Sequence, residues 1–292
     1  MSRQIAIATC EQLPDGDADD ELLVRALTGL GIGTSLVPWT ATGVDWAGFD
    51  LTVLRSTWDY ADRRAEFLAW TRTVPRLHNP AAVVAGNSDK RYLAGLIAAG
   101  LPVVPTGFVE PGQPAELPSS GEYVLKPSVG AGSRGAGRFD AGRPDSVTAA
   151  GAHLRALHGA GRTVLIQPYL DEVELHGETA VIFIDGAYSH TIRKEALLQP
   201  GSTHPLDFGE LYVAETISAS SPSEAELGLA GAALALLSQG LPEPLLYARI
   251  DLLPGPDGPV LIEAELTEPS LFLGHGHGAA DRLAAAIRDR TR

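Results

Sequence analysis

Cysteine is nearly absent from this chain of 292 residues: the single Cys10 excludes an internal disulfide and any cysteine-based zinc site. Long apolar runs are missing too. The longest nearly apolar stretch, residues 227–237, spans 11 residues with two glycines, whereas a membrane helix needs about 20, so it reads as a core helix. Basic side chains are in deficit, 22 against 36 acidic ones, giving a formal charge of −14. A chain of that sign repels phosphate backbones and anionic lipid, which disfavours nucleic acid and membrane as partners. Residues 1–10 show no basic region leading into an apolar stretch, so a cytoplasmic location is expected. The composition present, 45% hydrophobic and 20% charged, belongs to an ordinary globular chain of two or three lobes and excludes disorder.

Lysine is the most telling scarcity. Of the 22 basic residues only Lys90, Lys126 and Lys194 are lysine, and asparagine occurs only at Asn79 and Asn87. Where composition drives surface cations to arginine, a retained lysine suggests a place that needs a compact ammonium rather than a planar guanidinium. Three chance survivors are the plainer alternative.

The N-terminal part alternates strand and helix. Strands are expected at 5–9, 35–39 and 51–54, with a helix capped by Asp19 and stopped by Gly31, and another over 63–73; this favours a small parallel sheet. Ser88 is expected to cap a helix with Leu93, Leu96 and Ile97 inside and Gly100 at its end. The middle lobe should hold strands at 123–126 and 163–167, a glycine-rich loop over 128–137 and a helix over 145–158. Strands at 179–184, 188–194, 211–217, 245–253 and 260–266 complete the pattern. A helix running to Gly240 is opened by a capping box, Ser221 with Glu224, with Pro222 at its first position.

Gly130, Gly132 and Gly135 satisfy G-x-G-x-x-G, but no helix follows directly and position 155 is an arginine, so the dinucleotide reading fails on context. What remains is a loop rich in N–H donors and led by Lys126, either a lid for phosphates or a loose hairpin. Lys90 would oppose the dipole at the start of its helix unless an anion arrives, although a solvated lysine also accounts for it. In the last two strands, a turn centred on Asp257 pairs Asp251 with Glu263 and Arg249 with Glu265 on one face. Ile250, Leu252, Ile262 and Ala264 then take the other. Clustered carboxylates call for a hard divalent cation such as magnesium, or else form a solvated salt-bridged face. His275 and His277 read as turn residues, and Cys10 as packing.

Together these segments resemble the ATP-grasp ligases, close to the branch of glutathione synthetase and the ribosomal-protein glutamate ligases. The resemblance rests on Asn87-Ser-Asp-Lys90, the strand ending Val-Leu-Lys126-Pro, the segment Gln167-Pro168-Tyr169-Leu170, Arg249-Ile-Asp251 and Glu263-Ala-Glu265. It implies an α/β fold with α+β elements: an N-terminal Rossmann-like parallel-sheet domain over 1–86, a central lid over 87–170 and a C-terminal antiparallel-sheet subdomain over 171–292. It also implies ATP held by Lys90, Lys126, Ser133, Gly135, Gln167, Pro168, Tyr169, Leu170 and Glu178. One or two Mg²⁺ ions would sit on Asp251, Glu263 and Glu265, where Glu265 stands in place of the usual asparagine. Phosphoryl charge would fall to Arg249, Lys194 and Arg193. Residues 54–60, with 268–273, are similar to the group of these enzymes that forms D-cycloserine. That likeness implies a small amino-acid-like carboxylate substrate, closed into a ring by its own nitrogen. The loops after the first and third strands are expected to face it with Thr9, Ser56, Thr57 and Arg55, where Arg55 either clamps the carboxylate bidentately or pairs with a helix-capping stretch at 56–59; Glu268 and Ser270 join them from the segment 268–273. An intermolecular ligase and a non-catalytic nucleotide-binding regulator are the alternatives, and the reading allows a homo-oligomer.

Overall fold

The computed structural model describes residues 3–206, 211, 213 and 215–291. The first lobe runs β1 (Gln4–Thr9), α1 (Ala18–Gly29), β2 (Gly33–Pro38), β3 (Leu51–Leu54), a 3₁₀ turn at Trp58–Asp62, α2 (Arg64–Thr71), β4 (Leu77–His78) and α3 (Ala81–Asn87). Its sheet is parallel in the order β2-β1-β3-β4, as the alternating pattern suggests. The start of α1 differs from expectation: Asp17, not Asp19, is the cap, forming a reciprocal box with Asp20. Asp19 is thereby freed, and its carboxylate accepts the backbone N–H groups of Leu271 and Leu273 at 2.9 and 2.6 Å.

Ser88 likewise closes α3 rather than opening a helix. Asp89 caps a 3₁₀ turn at Lys90–Tyr92, which leads into the short α4 (Leu93–Ala98), where Ile97 is exposed while Leu93 and Leu96 are buried. The second lobe holds β5 (Gly107–Val109), β6 (Glu122–Pro127), β7 (Gly137–Asp140), α5 (Pro144–Gly159) and β8 (Val164–Pro168), antiparallel in the order β5-β8-β6-β7. The segment before it stays with the third lobe: Pro102 O accepts Leu261 N–H and Val104 N–H donates to Leu261 O, both at 2.9 Å.

After α6 (Val173–His176), the third lobe comprises β9 (Glu178–Ile184), β10 (Ala187–Lys194), β11 (Ile217–Ser220), α7 (Glu224–Leu237), β12 (Tyr247–Gly255), β13 (Gly258–Glu265) and finally α8 (Ala279–Arg290). The sheet is antiparallel in the order β11-β10-β9-β12-β13. The strand expected over 211–217 begins only at Ile217; residues 212 and 214 lie outside the described residues. The capping box of α7 is built two residues later than expected, by Ser223 and Glu226, leaving Pro222 ahead of the helix. Each such shift moves an N-cap to the nearby Ser or Asp whose side chain reaches a free N–H two or three residues on.

Two apolar cores tie the lobes together. One gathers Ile5, Ile7, Leu23 and Leu27 with Ile182 and the α8 residues Leu283 and Ile287, so the last helix, packed on α1, shares a core with the first sheet. The other joins Leu93 and Leu96 to Leu229, Ala233, Ile250 and Leu261. Each fully buried aliphatic side chain contributes roughly 1.5–3 kcal/mol. Both asparagines stitch these elements. Asn79, wholly buried, donates to Tyr247 O and Leu266 O and accepts Leu246 N–H, while Asn87 donates to Ala264 O and accepts Leu266 N–H.

Candidate active site

The hairpin of β12 and β13 sets the geometry. Arg249 faces Glu265 and Asp251 faces Glu263, as the spacing predicts, but for a different reason. The turn is tighter by one residue, with Gly255 opposite Gly258, and a bulge between Asp251 and Leu252 restores the offset. The extra residue is Ile262. It leaves the core face to Leu261 and packs instead with Val104, Leu253, Tyr169 and Leu170, which corrects the expected placement of Ile262 beside Ile250.

This face forms one wall of a cavity of about 590 Å³ where the lobes meet. The three lysines converge there from separate elements. Lys90 Nζ pairs with Glu263 Oε1 at 2.9 Å and donates to Gly130 O at 2.9 Å. Lys194, the last residue of β10, pairs with Asp251 Oδ2 at 3.1 Å and with Glu178. Lys126 has no carboxylate within salt-bridge distance among the described residues, and burial lowers its ammonium pKa. Arg249 forks onto Asp251 at 2.9 Å, pairs with Glu265 and donates to Ser270 O at 3.1 Å, with the Phe272 ring 5.6 Å away.

The carboxylates divide by their surroundings. Burial pushes Asp251 up, but Arg249 and Lys194 outweigh it and hold it well below the usual range; against the same burial, Lys90 and Lys126 hold Glu263 low. Burial wins at Glu178 and Glu265, both pushed up to about 7, although Lys194 and Arg249 respectively oppose it. At the far end Glu268, 7% exposed, is pushed up to about 8 by burial and by the Glu265 charge, and shares a hydrogen bond with Tyr60. Trp58, Ser270 and Phe272 complete that end.

Of the nucleotide-side residues expected from sequence, Lys90, Lys126, Ser133, Gln167, Pro168, Tyr169, Leu170 and Glu178 all line the cavity. Gln167 is anchored by its side-chain donation to Thr106 Oγ1 at 2.8 Å, and Tyr169 packs under the Arg138 guanidinium at 3.5 Å. Gly135 lies behind the wall, at φ +72°, where a Cβ would come within 2.7 Å of Leu206. Arg193 is turned away by strand alternation: with Lys194 inward, it donates to Thr179 Oγ1 and faces Glu226 of α7 at 3.6 Å.

The expected substrate clamp is absent from the cavity. Arg55 is 1% exposed and fully engaged, donating to Asp20 Oδ1 at 3.1 Å and to Pro269 O at 2.9 Å, with Asp19 at 3.6 Å. Ser56 donates to Asp20 Oδ2 at 2.8 Å, while the buried hydroxyls of Thr9 and Thr57 have no hydrogen-bond partner among the described residues. Arg55 therefore holds the chain segment that carries Glu268 and Ser270 instead of contacting the chamber itself. Sequence reasoning missed Trp58, Tyr60, Asp17 and Phe272 as wall residues. It also missed Asn79 as a stitch behind the wall and Asn87 as a stitch within it, although their rarity was the available signal.

The donor set suits a hard cation, since Asp251, Glu263 and Glu265 offer carboxylate oxygens alone. Among the described residues no three acidic, histidine or cysteine side chains form a ready cage. Each of the three carboxylates is instead neutralised by Arg249, Lys194 or Lys90. These are the residues that would hold magnesium by exchanging partners, and when bound the ion would neutralise phosphate charge.

A family profile described as D-cycloserine synthetase DcsG, N-terminal domain, matches residues 5–79. The cycloserine biosynthesis protein DcsG of Streptomyces lavendulae is 38% identical over 292 residues, covering 94% of each chain. A crystal structure of D-cycloserine synthetase DcsG superposes with a TM-score of 0.87 at 36% identity, over 99% of this chain and 100% of that one. A RimK-domain ATP-grasp protein from Sphaerobacter thermophilus shares the fold at a TM-score of 0.66 and 16% identity, over 97% and 98% of the two chains. No helix among the described residues is long and apolar enough to cross a membrane. A wall of convergent lysines and paired carboxylates, in a fold and sequence shared end to end with such enzymes, makes this chain an ATP-dependent ligase of the ATP-grasp fold, belonging to the D-cycloserine synthetase family.

Proposed function

We propose that the chain phosphorylates the carboxylate of O-ureido-D-serine with ATP and closes the acyl phosphate by attack of the substrate's own oxygen-linked nitrogen. The observation that carries this is a single chamber with a cationic end, Lys90, Lys126, Lys194 and Arg249, continuous with a small aromatic and acidic end, Trp58, Tyr60, Glu268 and Phe272. The first suits phosphates and the second a small ammonium-bearing molecule, so both halves of the reaction fit without another site. The whole-length similarity to D-cycloserine synthetases supports the choice of substrate.

In this reading Lys90, Lys126, Ser133, Glu178 and the segment 167–170 hold ATP, while Arg249 and Lys194 absorb charge on the transferring phosphoryl. Asp251, Glu263 and Glu265 would hold Mg²⁺, and Glu268 and Ser270 face the substrate. The carboxylate takes the terminal phosphoryl and ADP departs; the nitrogen then bonds to the carbonyl carbon, losing its proton as phosphate leaves. That nitrogen carries a carbamoyl group, which must leave with water as CO₂ and ammonia for the free ring to form. Intramolecular capture brings effective molarities of about 10⁵ M or more. Incubation with O-ureido-D-serine, ATP and Mg²⁺ should yield ADP, phosphate, ammonia and D-cycloserine by mass spectrometry. A requirement for a separate amine-bearing partner would replace cyclisation with intermolecular ligation.

A further inference from the structure

Asp62 ends the 3₁₀ turn Trp58–Asp62 and holds two arginines that come from the second lobe. Its Oδ2 accepts from Arg134 Nη2 at 3.0 Å and its Oδ1 from Arg162 Nη2 at 2.6 Å. Arg162, between α5 and β8, also donates to Ala61 O at 2.5 Å. Arg134 lies in the glycine loop between β6 and β7, and its guanidinium further binds Leu206 O. One carboxylate thus joins the turn that supplies Trp58 and Tyr60 to the substrate end with the loop that supplies Gly132 and Ser133 to the phosphate end.

We propose that Asp62 is a positioning residue that registers the glycine loop against the substrate-side turn, so that the loop over the phosphates seats only when the turn is in place.

Two observations carry this. A lone exposed ion pair contributes little, but here a half-exposed carboxylate is shared by two guanidiniums with side-chain exposures of only 13% and 20%, each also bound to a backbone carbonyl. The loop carries backbone strain: Ser133 adopts φ +60°, a left-handed conformation costly for a residue with a side chain, beside Gly132 and Gly135 at +60° and +72°. Contacts from outside offset that strain alongside the loop's own turns, and Arg134 supplies one. The catalytic consequence rests on the proposed reaction. An acyl phosphate reached by water reverts to carboxylate and phosphate, so a poorly seated loop consumes ATP without product.

The test compares Asp62→Asn, Asp62→Glu and Arg134→Gln in the full chain. Hydrogen–deuterium exchange without ligands should show residues 128–137 exchanging at least about tenfold faster in Asp62→Asn and Arg134→Gln, with other segments unchanged, and near wild-type exchange in Asp62→Glu. With ATP, Mg²⁺ and O-ureido-D-serine, ADP released per product should rise at least about twofold in the first two variants and return in the third. Unchanged loop exchange, or a rise spread evenly over the molecule, overturns the proposal. A wild-type protein that makes no product refutes the reaction but leaves the loop exchange to decide the role of Asp62.

Discussion

Asp251 stands directly across the hairpin from Glu263, yet the two carboxylates are neutralised from opposite sides, Asp251 by Arg249 and Lys194, Glu263 by Lys90. Spacing alone suggests that removing one charge from such a face relieves repulsion. The pairing reverses that expectation. Asp251→Asn should lower ligand-free stability by about 3 kcal/mol, because two buried cations lose a shared partner. Differential scanning calorimetry without metal decides it, and an unchanged or higher melting temperature would show that repulsion dominates.

Glu268 makes the ligand-free protein sensitive to alkali. Burial and the Glu265 charge raise its folded pKa to about 8, above the unfolded value, so the folded state binds more protons between about pH 4.5 and 8. Its favourable contribution is full below that window and is lost as pH rises through it. Glu268→Gln should flatten the fall of melting temperature between pH 6 and 9. Identical slopes for the two proteins would remove Glu268 as the cause.

Lys126 offers a different contrast. Its ammonium faces the chamber without an ion pair among the described residues, whereas Lys90 is already engaged by Glu263 and Gly130. Lys126→Arg should weaken ATP binding by at least tenfold, since the half-buried site fits a point charge and not a planar fork. Titration calorimetry with ATP and Mg²⁺ measures this, and wild-type affinity would discard the argument from lysine scarcity.

For Arg55→Ala the expectation is structural. Removing a guanidinium that is 1% exposed leaves Asp20 buried without it and releases Pro269 O, a change of roughly 3–5 kcal/mol. Thermal denaturation should show a drop on the order of 10 °C. A stable variant whose only defect is a raised KM for the amino acid would restore Arg55 to the substrate.

The hairpin was legible because period-two alternation and a short Pro-Gly turn leave few registers. Even so, the register came out through two differences that offset one another, a tighter turn and the bulge at Ile262. The fate of Arg55 was not legible, because a bidentate clamp and a buried strut use the same side chain. What separates them is Asp20, 35 residues upstream, whose local pattern shows only an amphipathic helix. Arg193 and Lys194 show the same limit on a smaller scale: adjacent cations in a strand must face opposite ways, and sequence alone does not say which one faces the chamber.

The union of β1 and α8 in one apolar core bears on how the chain is made. Synthesis delivers the first sheet long before α8, so until α8 emerges Ile5, Ile7, Leu23 and Leu27 lack the part of their core that Leu283 and Ile287 supply. The core that the first lobe shares with α8 can close only once residues 279–290 have emerged, and nascent chains stalled before residue 279 should carry that apolar face open to chaperones.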